Sequence, residues 1–327
     1  MWRRFRKKAA SILLIFSIPF LCGIIMQDEE QDVLLKRKIS DAGFRVAVTD
    51  ATGSYTYDPE ELIPYMIAAV VPFGTEEQLV QALAILCRTN LVYCWEESGR
   101  PEQIPYEECG LPICSFFEYK ELLRYKINSA EDKEDDIKRA VEATEGIILL
   151  YEGDVIKAPF FYLSAGQTRA GNGDTGQTYL QNQSCENDIY HEKYLNKYYF
   201  EKDLFWERLE SLMPESIEGE QMTQRELNEW VLLSDEAGYI GCLFYKKEQI
   251  YIDIVRFCEE FDLCSPCFEI EEREKEIVLV TRGVGHGFGL NISHAKKQAQ
   301  DGMSCYDILN YYFANTKKDK GYNVNVG

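Results

Sequence analysis

The 327 residues are 46% hydrophobic and 13% aromatic, enough apolar material for the core of one large or two modest domains. Their formal charge of −20 argues against nucleic-acid binding and adhesion to anionic lipid, and it disfavours a highly anionic polymer as substrate.

The chain starts with Arg3, Arg4, Arg6, Lys7 and Lys8, followed by an uncharged run from Ala9 to Met26. Such a run is just long enough to cross a bilayer. No small-x-small cleavage site follows it, and Leu21 stands where a lipoprotein signal needs a small residue before Cys22. We therefore expect a cytoplasmic basic segment and an uncleaved signal anchor over residues 1–27, with residues 28–327 extracytoplasmic. The protein would be a single-pass protein of the cell membrane. Setting aside those five leading basic residues leaves −25 on the part beyond Met26.

Eleven cysteines are present, ten of them beyond the anchor, at irregular spacings. Outside the cytoplasm some can form disulfides, but the spacing does not set the pairs. Cys264-Ser-Pro-Cys267 is a lone C-x-x-C, a weak signal for zinc, which takes four ligands. Cys87, Cys94 and Cys305 fall in helical patterns and read as small buried hydrophobes.

In chain order, residues 27–42 are a polar spacer. Phe44–Thr49 alternates like a strand, Thr52-Gly-Ser turns, and Tyr55–Tyr57 is its hairpin partner. Asp58-Pro-Glu-Glu starts a helix that should run through Val71 and stop before Pro72, with Pro64 a kink point. Thr75-Glu-Glu-Gln78 reads as a capping box opening a second helix, in which Leu79, Ala82, Leu83, Leu86, Thr89 and Asn90 share one face. Residues 96–117 read as an irregular loop, 118–126 as a short helix and 131–144 as a charged amphipathic helix ended by Gly146. Ile147–Tyr151 and Val155–Tyr162 form a strand–turn–strand unit leading into Ser164-Ala-Gly-Gln-Thr168. Residues 172–202 look loop-like, and helices are expected at 205–212 and 223–233. Strands follow at 240–245, 249–255, 267–270 and 277–281, then helices at 293–302 and 306–313 and a Lys-rich tail. The fold class is α+β, mixed helices and antiparallel strands with an N-terminal transmembrane anchor. A second lobe at about 186–280 is one way to divide residues 28–327.

After the strand ending at Thr281 come four alternate glycines, Gly283, Gly285, Gly287 and Gly289, around His286. Alternate glycines mean unusual backbone angles or close approach by another group. The spacing is not G-x-G-x-x-G, and no distal acid follows in a βαβ unit, so this is no dinucleotide fingerprint. A tight turn with a structurally bonded histidine and an exposed functional histidine are equally open here. His191 and His294 have no motif around them and read as ordinary histidines.

Four ordered blocks resemble the stage II sporulation protein D family, the SpoIID/LytB-type domain. They are Tyr65–Pro72 with Ala84–Thr89; Ala140–Gly146 running on to Phe160–Thr168; Val255-Arg-Phe with Leu263-Cys-Ser265; and Gly283–Asn291 with Gln298–Met303 and Tyr306–Tyr312. The resemblance implies a SpoIID-like fold and a role in peptidoglycan remodelling during the engulfment stage of sporulation. The family resembles lytic transglycosylases, in which one carboxyl group protonates the glycosidic oxygen. It then takes the proton of the sugar's C6 hydroxyl as the anhydro ring closes.

In the family that acid lies in an A-x-E-[M/L]-P motif, which reads Ala68-Ala-Val-Val-Pro72 here. Val70 occupies the position of the general acid and can neither give nor take a proton. Glu76 and Glu77 are the candidate substitutes, although acids in a first helical turn are ordinarily there for the helix dipole. The resemblance places substrate-binding groups at Arg88, Ser164, Gly166, Thr168, Gly285, His286, Gly287 and Asn291. For Arg88 a structural ion pair is equally open. The family's Ser-Gln after the histidine loop is Asn291-Ile292. The Ser164 turn carries neither Cys nor His for the zinc that some members hold, so no metal and no cofactor are expected.

The leading expectation is a degenerate enzyme that binds glycan strands, with other cell-wall hydrolases of sporulation as partners. It would contact the membrane through its N-terminal helix and bind no nucleic acid. An active transglycosylase using Glu76 or Glu77, and a non-enzymatic membrane assembly component, are the alternatives.

Overall fold

The computed structural model describes residues 43–50, 53–114, 118–120, 122, 135–171, 177–213 and 226–320. The expected basic segment and signal anchor lie outside these residues. No helix among the described residues is long and apolar enough to cross a membrane.

Arg45–Asp50 (β1) and Gly53–Tyr57 (β2) form the expected antiparallel hairpin, with Val46 opposite Tyr57. Asp58 then starts Pro59–Ala68 (α1). Its carboxylate accepts from Glu60 N at 3.0 Å, and Glu61 reaches back to Asp58 N at 3.1 Å, so two otherwise unpaired donors are satisfied. The helix ends at Ala68, earlier than its apolar run suggests. The N–H groups of Val70 and Val71 both converge on Ile67 O at 3.0 Å, closing a turn before Pro72. Val70 therefore sits in a turn, half-buried against the core.

Glu77–Glu97 (α2) is the helix on which the first half of the molecule is built. Leu83, Ile85, Leu86 and Leu91 have no exposed surface, and burial runs all the way round, as in a helix enclosed by its neighbours. Each such side chain stabilises the fold by about 1.5–3 kcal/mol relative to an exposed one. The expected capping box does not form. Thr75 turns its hydroxyl back to Pro72 O at 2.7 Å, Glu76 becomes the N-cap residue, and Gln78 accepts from Cys305 N at 2.8 Å. The competing local bond and the tertiary partner both outweigh the box.

The segment expected as an irregular loop contains Gln103–Pro105 (β3), parallel to β1, and one 3-10 turn at Tyr106–Cys109. Asp135 caps Asp136–Ala143 (α3), accepting from Lys138 N at 3.1 Å. Ile147–Tyr151 (β4) pairs with Asp154–Val155 (β5) on one side and with the tail strand Lys317–Lys320 (β14) on the other, both antiparallel. Phe160–Phe161 (β6) pairs in parallel with Leu290–Asn291 (β13). Ile292–Gln300 (α6) and Cys305–Tyr312 (α7) pack back on α2.

A second core lies under two antiparallel sheets. Leu195–Glu201 (β7) pairs with Glu276–Arg282 (β12), which pairs in turn with Phe268–Glu272 (β11). The region around β7 reads as loop because Leu195, Lys197 and Tyr199 face solvent while Phe200 is buried. Lys202–Ser211 (α4) follows directly.

The helix expected at 223–233 is overturned. Residues 223–225 lie outside the described set, and Trp230–Ser234 (β8) pairs with Ile240–Tyr245 (β9) instead. Trp230 stacks on Tyr245 at 4.8 Å between ring centroids, a cross-strand contact that outweighs local helix preference. Ile250–Asp253 (β10) completes the meander. The strand expected to continue to Val255 turns into Ile254–Glu260 (α5), because Asp253 accepts from Val255 N at 2.9 Å and Arg256 N at 3.2 Å. The class is mixed α+β with mainly antiparallel sheets. A small third cluster, Ala237, Tyr239 and Cys267 with Ala165, joins the β8–β9 turn to the Ser164 turn.

Candidate functional site

β12 delivers the chain into the glycine loop, and β13 takes it out into α6. All four glycines have positive φ, and at each of them an added Cβ would come within 3.0 Å of a neighbouring atom. A Cβ on Gly289 (φ +75°) would lie 2.0 Å from Pro159 O, and one on Gly287 (φ +85°) 2.6 Å from Tyr239 Cζ. The loop is threaded between backbones. Val284 and Leu163 exchange hydrogen bonds at 2.7 and 3.0 Å. Gly283 N donates to Tyr194 O at 2.8 Å, Gly285 N to Cys264 O at 2.7 Å, and Arg169 N to Gly287 O at 2.8 Å.

His286 stands at the crest of this loop. Its Nδ1 accepts from Phe288 N at 3.1 Å, and its ring lies 5.7 Å from that of Phe161. The imidazole shows surface to solvent, yet protein atoms crowd it on the other sides. That desolvation, followed by the nearby Arg169 charge, pushes its pKa down to about 4. His286 is thus a neutral hydrogen-bonding group at physiological pH, not a cation. The unfolded chain, at about 6.5, binds this proton more readily than the folded one. The contribution to stability is therefore complete above about pH 6.5 and is lost as pH falls toward 4. An NMR titration of the His286 ring should show its midpoint near 4; a midpoint near 6.5 would refute this environment.

Arg169 supports the loop from below. Its guanidinium lies 4.2 Å over Phe288 and 5.4 Å over Tyr239, its Nε meets Asp235 at 2.5 Å, and Nη1 donates to His286 O at 3.4 Å. Tyr239 in turn accepts Ala165 N at 2.9 Å on its hydroxyl, and burial raises that phenol.

Behind the loop is a buried hub at Asp188. Its Oδ2 accepts from Ser164 N at 3.0 Å, Ser164 Oγ at 2.7 Å and Asn291 Nδ2 at 2.5 Å. Ser164 Oγ accepts Gly166 N at 3.1 Å, and Asn291 Oδ1 caps α6 through His294 N at 3.3 Å. Thr168 donates to Gln181 O at 2.7 Å and accepts Gln183 N at 2.9 Å. Ser164, Thr168 and Asn291 have no exposed surface. Of the residues proposed from the sequence, Ser164, Gly166, Thr168, Gly285, His286, Gly287 and Asn291 come together in one assembly, with His286 at its surface.

Arg88 is not part of it. It is fully buried, its Nε and Nη2 meet Glu60 at 2.5 and 2.9 Å, and Nη1 donates to Ile147 O at 3.1 Å. That geometry is an ion pair tying α1, α2 and β4 together, with no face for a substrate.

The acid candidates separate clearly. Glu77 is an exposed first-turn residue that accepts from Gln81 Nε2 at 3.0 Å. Glu76 receives Gln300 Nε2 on Oε1 at 2.6 Å, while its Oε2 is enclosed and meets no protein donor. Asn291 and Gln300 flank the two ends of α6, so that helix, about 13 Å long at its rise per residue, separates the hub from Glu76.

His294 stacks on Tyr311 at 5.8 Å, and burial lowers its pKa; His191 accepts Lys193 N at 3.1 Å. Among the described residues, no three His, Cys, Asp or Glu side chains are placed to share a metal ion. Asp188, Arg169, Asp235 and Tyr239 escape sequence reasoning. Arg169 directly follows the Ser164–Thr168 block, the one local hint; the others come from distant segments without a motif.

The sequence profile of the SpoIID family, described as stage II sporulation protein, matches residues 50–151. That range contains Val70, Glu76, Glu77 and Arg88 but stops short of the Ser164 turn and the histidine loop. Similarity to named proteins runs further. Stage II sporulation protein D of Bacillus amyloliquefaciens is 24% identical over 261 residues, covering 78% of this chain and 72% of that protein. Its namesake from Bacillus subtilis (strain 168) is 26% identical over 263 residues, covering 79% and 73%. Residues 50–151 match the SpoIID family, and the similarity to stage II sporulation protein D continues over most of the chain.

Proposed function

We propose that this SpoIID-type sporulation protein binds peptidoglycan glycan strands during cell-wall remodelling at engulfment and does not cleave them on its own. The observation that carries this reading is Val70. The turn that ends α1 offers an aliphatic side chain where the family places its general acid. The histidine loop remains fully assembled, with His286 neutral and Phe161 and Phe288 close to its ring. A neutral imidazole between aromatic rings suits hydrogen bonding and stacking on an uncharged sugar. The surrounding assembly is held by hydrogen bonds among its own side chains and backbone. In this reading residues 28–327 act outside the cytoplasm as a single unit with two cores, held at the membrane by the N-terminal helix. Cleavage would be supplied by a partner hydrolase.

One observation favours a second reading. The enclosed Glu76 Oε2 meets no protein donor, as expected of a carboxyl group awaiting a substrate proton acceptor. Against it, Oε1 is engaged by Gln300.

Incubating the purified chain with glycan strands that lack stem peptides separates the readings. We expect the strands to co-sediment with the chain and mass spectrometry to find no anhydro-sugar products. Val70→Glu should then generate anhydro products at least about 10²-fold above background, the contribution typical of a positioned general acid. Anhydro products from the unaltered chain that disappear in Glu76→Gln would establish the second reading. Neither binding nor cleavage would leave an assembly role.

A further inference from the structure

We propose that the protein forms a two-fold dimer through the outer edge of β7, with the two copies of this strand antiparallel and Tyr199 opposite its own counterpart. β7 lies at the edge of the sheet ordered β11-β12-β7. Gly283 N donates to Tyr194 O at 2.8 Å and Lys202 N to Lys275 O at 3.4 Å, so the even-numbered residues of this stretch are the ones bonded across to β12. Leu195, Lys197, Tyr199 and Glu201 lie between them and turn their N–H and C=O groups the other way. No strand, turn or loop among the described residues bonds to the outward backbone of Leu195, Lys197 or Tyr199. The side chains of Leu195, Lys197, Tyr199 and Glu201 are all exposed, and α4 packs back against β7 and β12. An open edge of this length is a template for a further strand.

Charge selects a second copy of the chain as that strand. A lysine in the middle of an edge strand ordinarily discourages pairing, because a neutral neighbour offers it no counter-charge. In β7 the charges are self-complementary about Tyr199. With Tyr199 on the two-fold axis, Lys197 stands opposite Glu201 of the partner subunit, and the symmetry repeats the pair. An axis at Lys197 would set lysine against lysine. Among the described residues neither Lys197 nor Glu201 has an ion-pair partner in its own chain, whereas the nearby Lys202, Arg273 and Arg282 are all paired. Tyr199 itself is steadied by Arg273, whose guanidinium lies 5.7 Å from its ring.

The overall charge of −20 opposes association at long range, but salt screens it beyond about 8 Å at physiological ionic strength, and the two charges of β7 cancel. Pairing joins two three-stranded sheets into one. Because β12 enters the glycine loop opposite Tyr194, the two histidine loops leave the joined sheet at opposite ends. A glycan strand long enough to meet both would be held more tightly than by one loop, a gain that rests on the glycan-binding reading. The pairing itself does not.

Sedimentation of the full chain in detergent, without glycan, is the test. The unaltered chain should show a monomer–dimer equilibrium at micromolar concentration. Lys197→Glu should weaken it at least about tenfold, since two attractive cross-strand pairs become repulsive. The double exchange Lys197→Glu/Glu201→Lys should restore it, which a misfolded variant could not do. Glu201 makes no side-chain cap bond to α4, so its replacement spares the start of that helix. A chain that stays monomeric, a dimer indifferent to Lys197→Glu, or a double exchange that fails to recover would each overturn the proposal. A zero-length carbodiimide cross-link gives a second readout on a mixture of 15N-labelled and unlabelled chains. Lys197 and Glu201 of one strand stand about 13 Å apart, too far for a direct amide, so their link must join two chains. Mixed-isotope peptides carrying that link are expected; a dimer without them would overturn the register.

Discussion

Glu60→Ala is expected to destabilise the protein by about 3–5 kcal/mol, because it leaves the Arg88 guanidinium buried without its counter-charge. Arg88 has no exposed surface, and two of its nitrogens meet Glu60 at 2.5 and 2.9 Å. The remaining acceptors, Ile147 O at 3.1 Å and Ala84 O at 3.4 Å, are neutral carbonyls that solvate a cation incompletely. Urea unfolding read by midpoint and slope is the direct measurement. The double replacement Glu60→Leu/Arg88→Met should recover much of the loss, since it removes both buried charges. A single variant costing less than about 1 kcal/mol would mean that water reaches the guanidinium. Any loss of glycan retention in these variants should follow the unfolded fraction, because neither side chain reaches the surface of the loop.

Gly289→Ala is the second large effect, expected to cost about 2–5 kcal/mol by combining an unfavourable backbone angle with a clash. The added Cβ would fall 2.0 Å from Pro159 O, a backbone atom that cannot rotate away. That oxygen also accepts Leu290 N at 3.1 Å, so relieving the clash disturbs the β6–β13 pairing that sets the exit of the histidine loop. Gly302→Ala is the control. Its φ of +91° imposes a similar backbone strain, but nothing lies within 4 Å of the new atom. Its cost should stay near 1–2 kcal/mol, the strain of the left-handed region alone. Equal losses in the two variants would show that the close approach contributes nothing. Gly289→Ala should also loosen His286, moving its NMR titration from about 4 toward the ordinary value of 6.5.

The legible parts of the fold are those where one local signal decides. Asp58-Pro59 starts a helix because the cap and the proline act within one turn, and the structure has that helix, complete with a capping box at Glu61. The strands after Ile240 and Glu276 follow from dense apolar runs. The failures occur where local and tertiary partners compete. Thr75 had a plausible capping partner in sequence, but Pro72 O was nearer and Gln78 found Cys305. Trp230–Ser234 has a helical pattern, and the aromatic stack on Tyr245 makes it a strand. β7 was hidden because Phe200 is its one buried residue and its outward face is polar and aromatic, which leaves no run of apolar alternation to read.

The candidate site shows the same division. From sequence alone, four alternate glycines around His286 pointed to unusual backbone angles or close approach by another group, and Val70 showed that the Ala68–Pro72 stretch has no proton to give at that position. Both conclusions depend only on side-chain chemistry, which needs no coordinates. Tertiary structure alone decided that Arg88 is an internal ion pair, that Glu76 lies one helix length from the hub, and that Asp188, Arg169 and Tyr239 hold the loop. Those facts arise from segments far apart in the chain meeting through packing. The charge state of His286 belongs with them, because desolvation and a neighbouring guanidinium act through space and leave no trace in residue order.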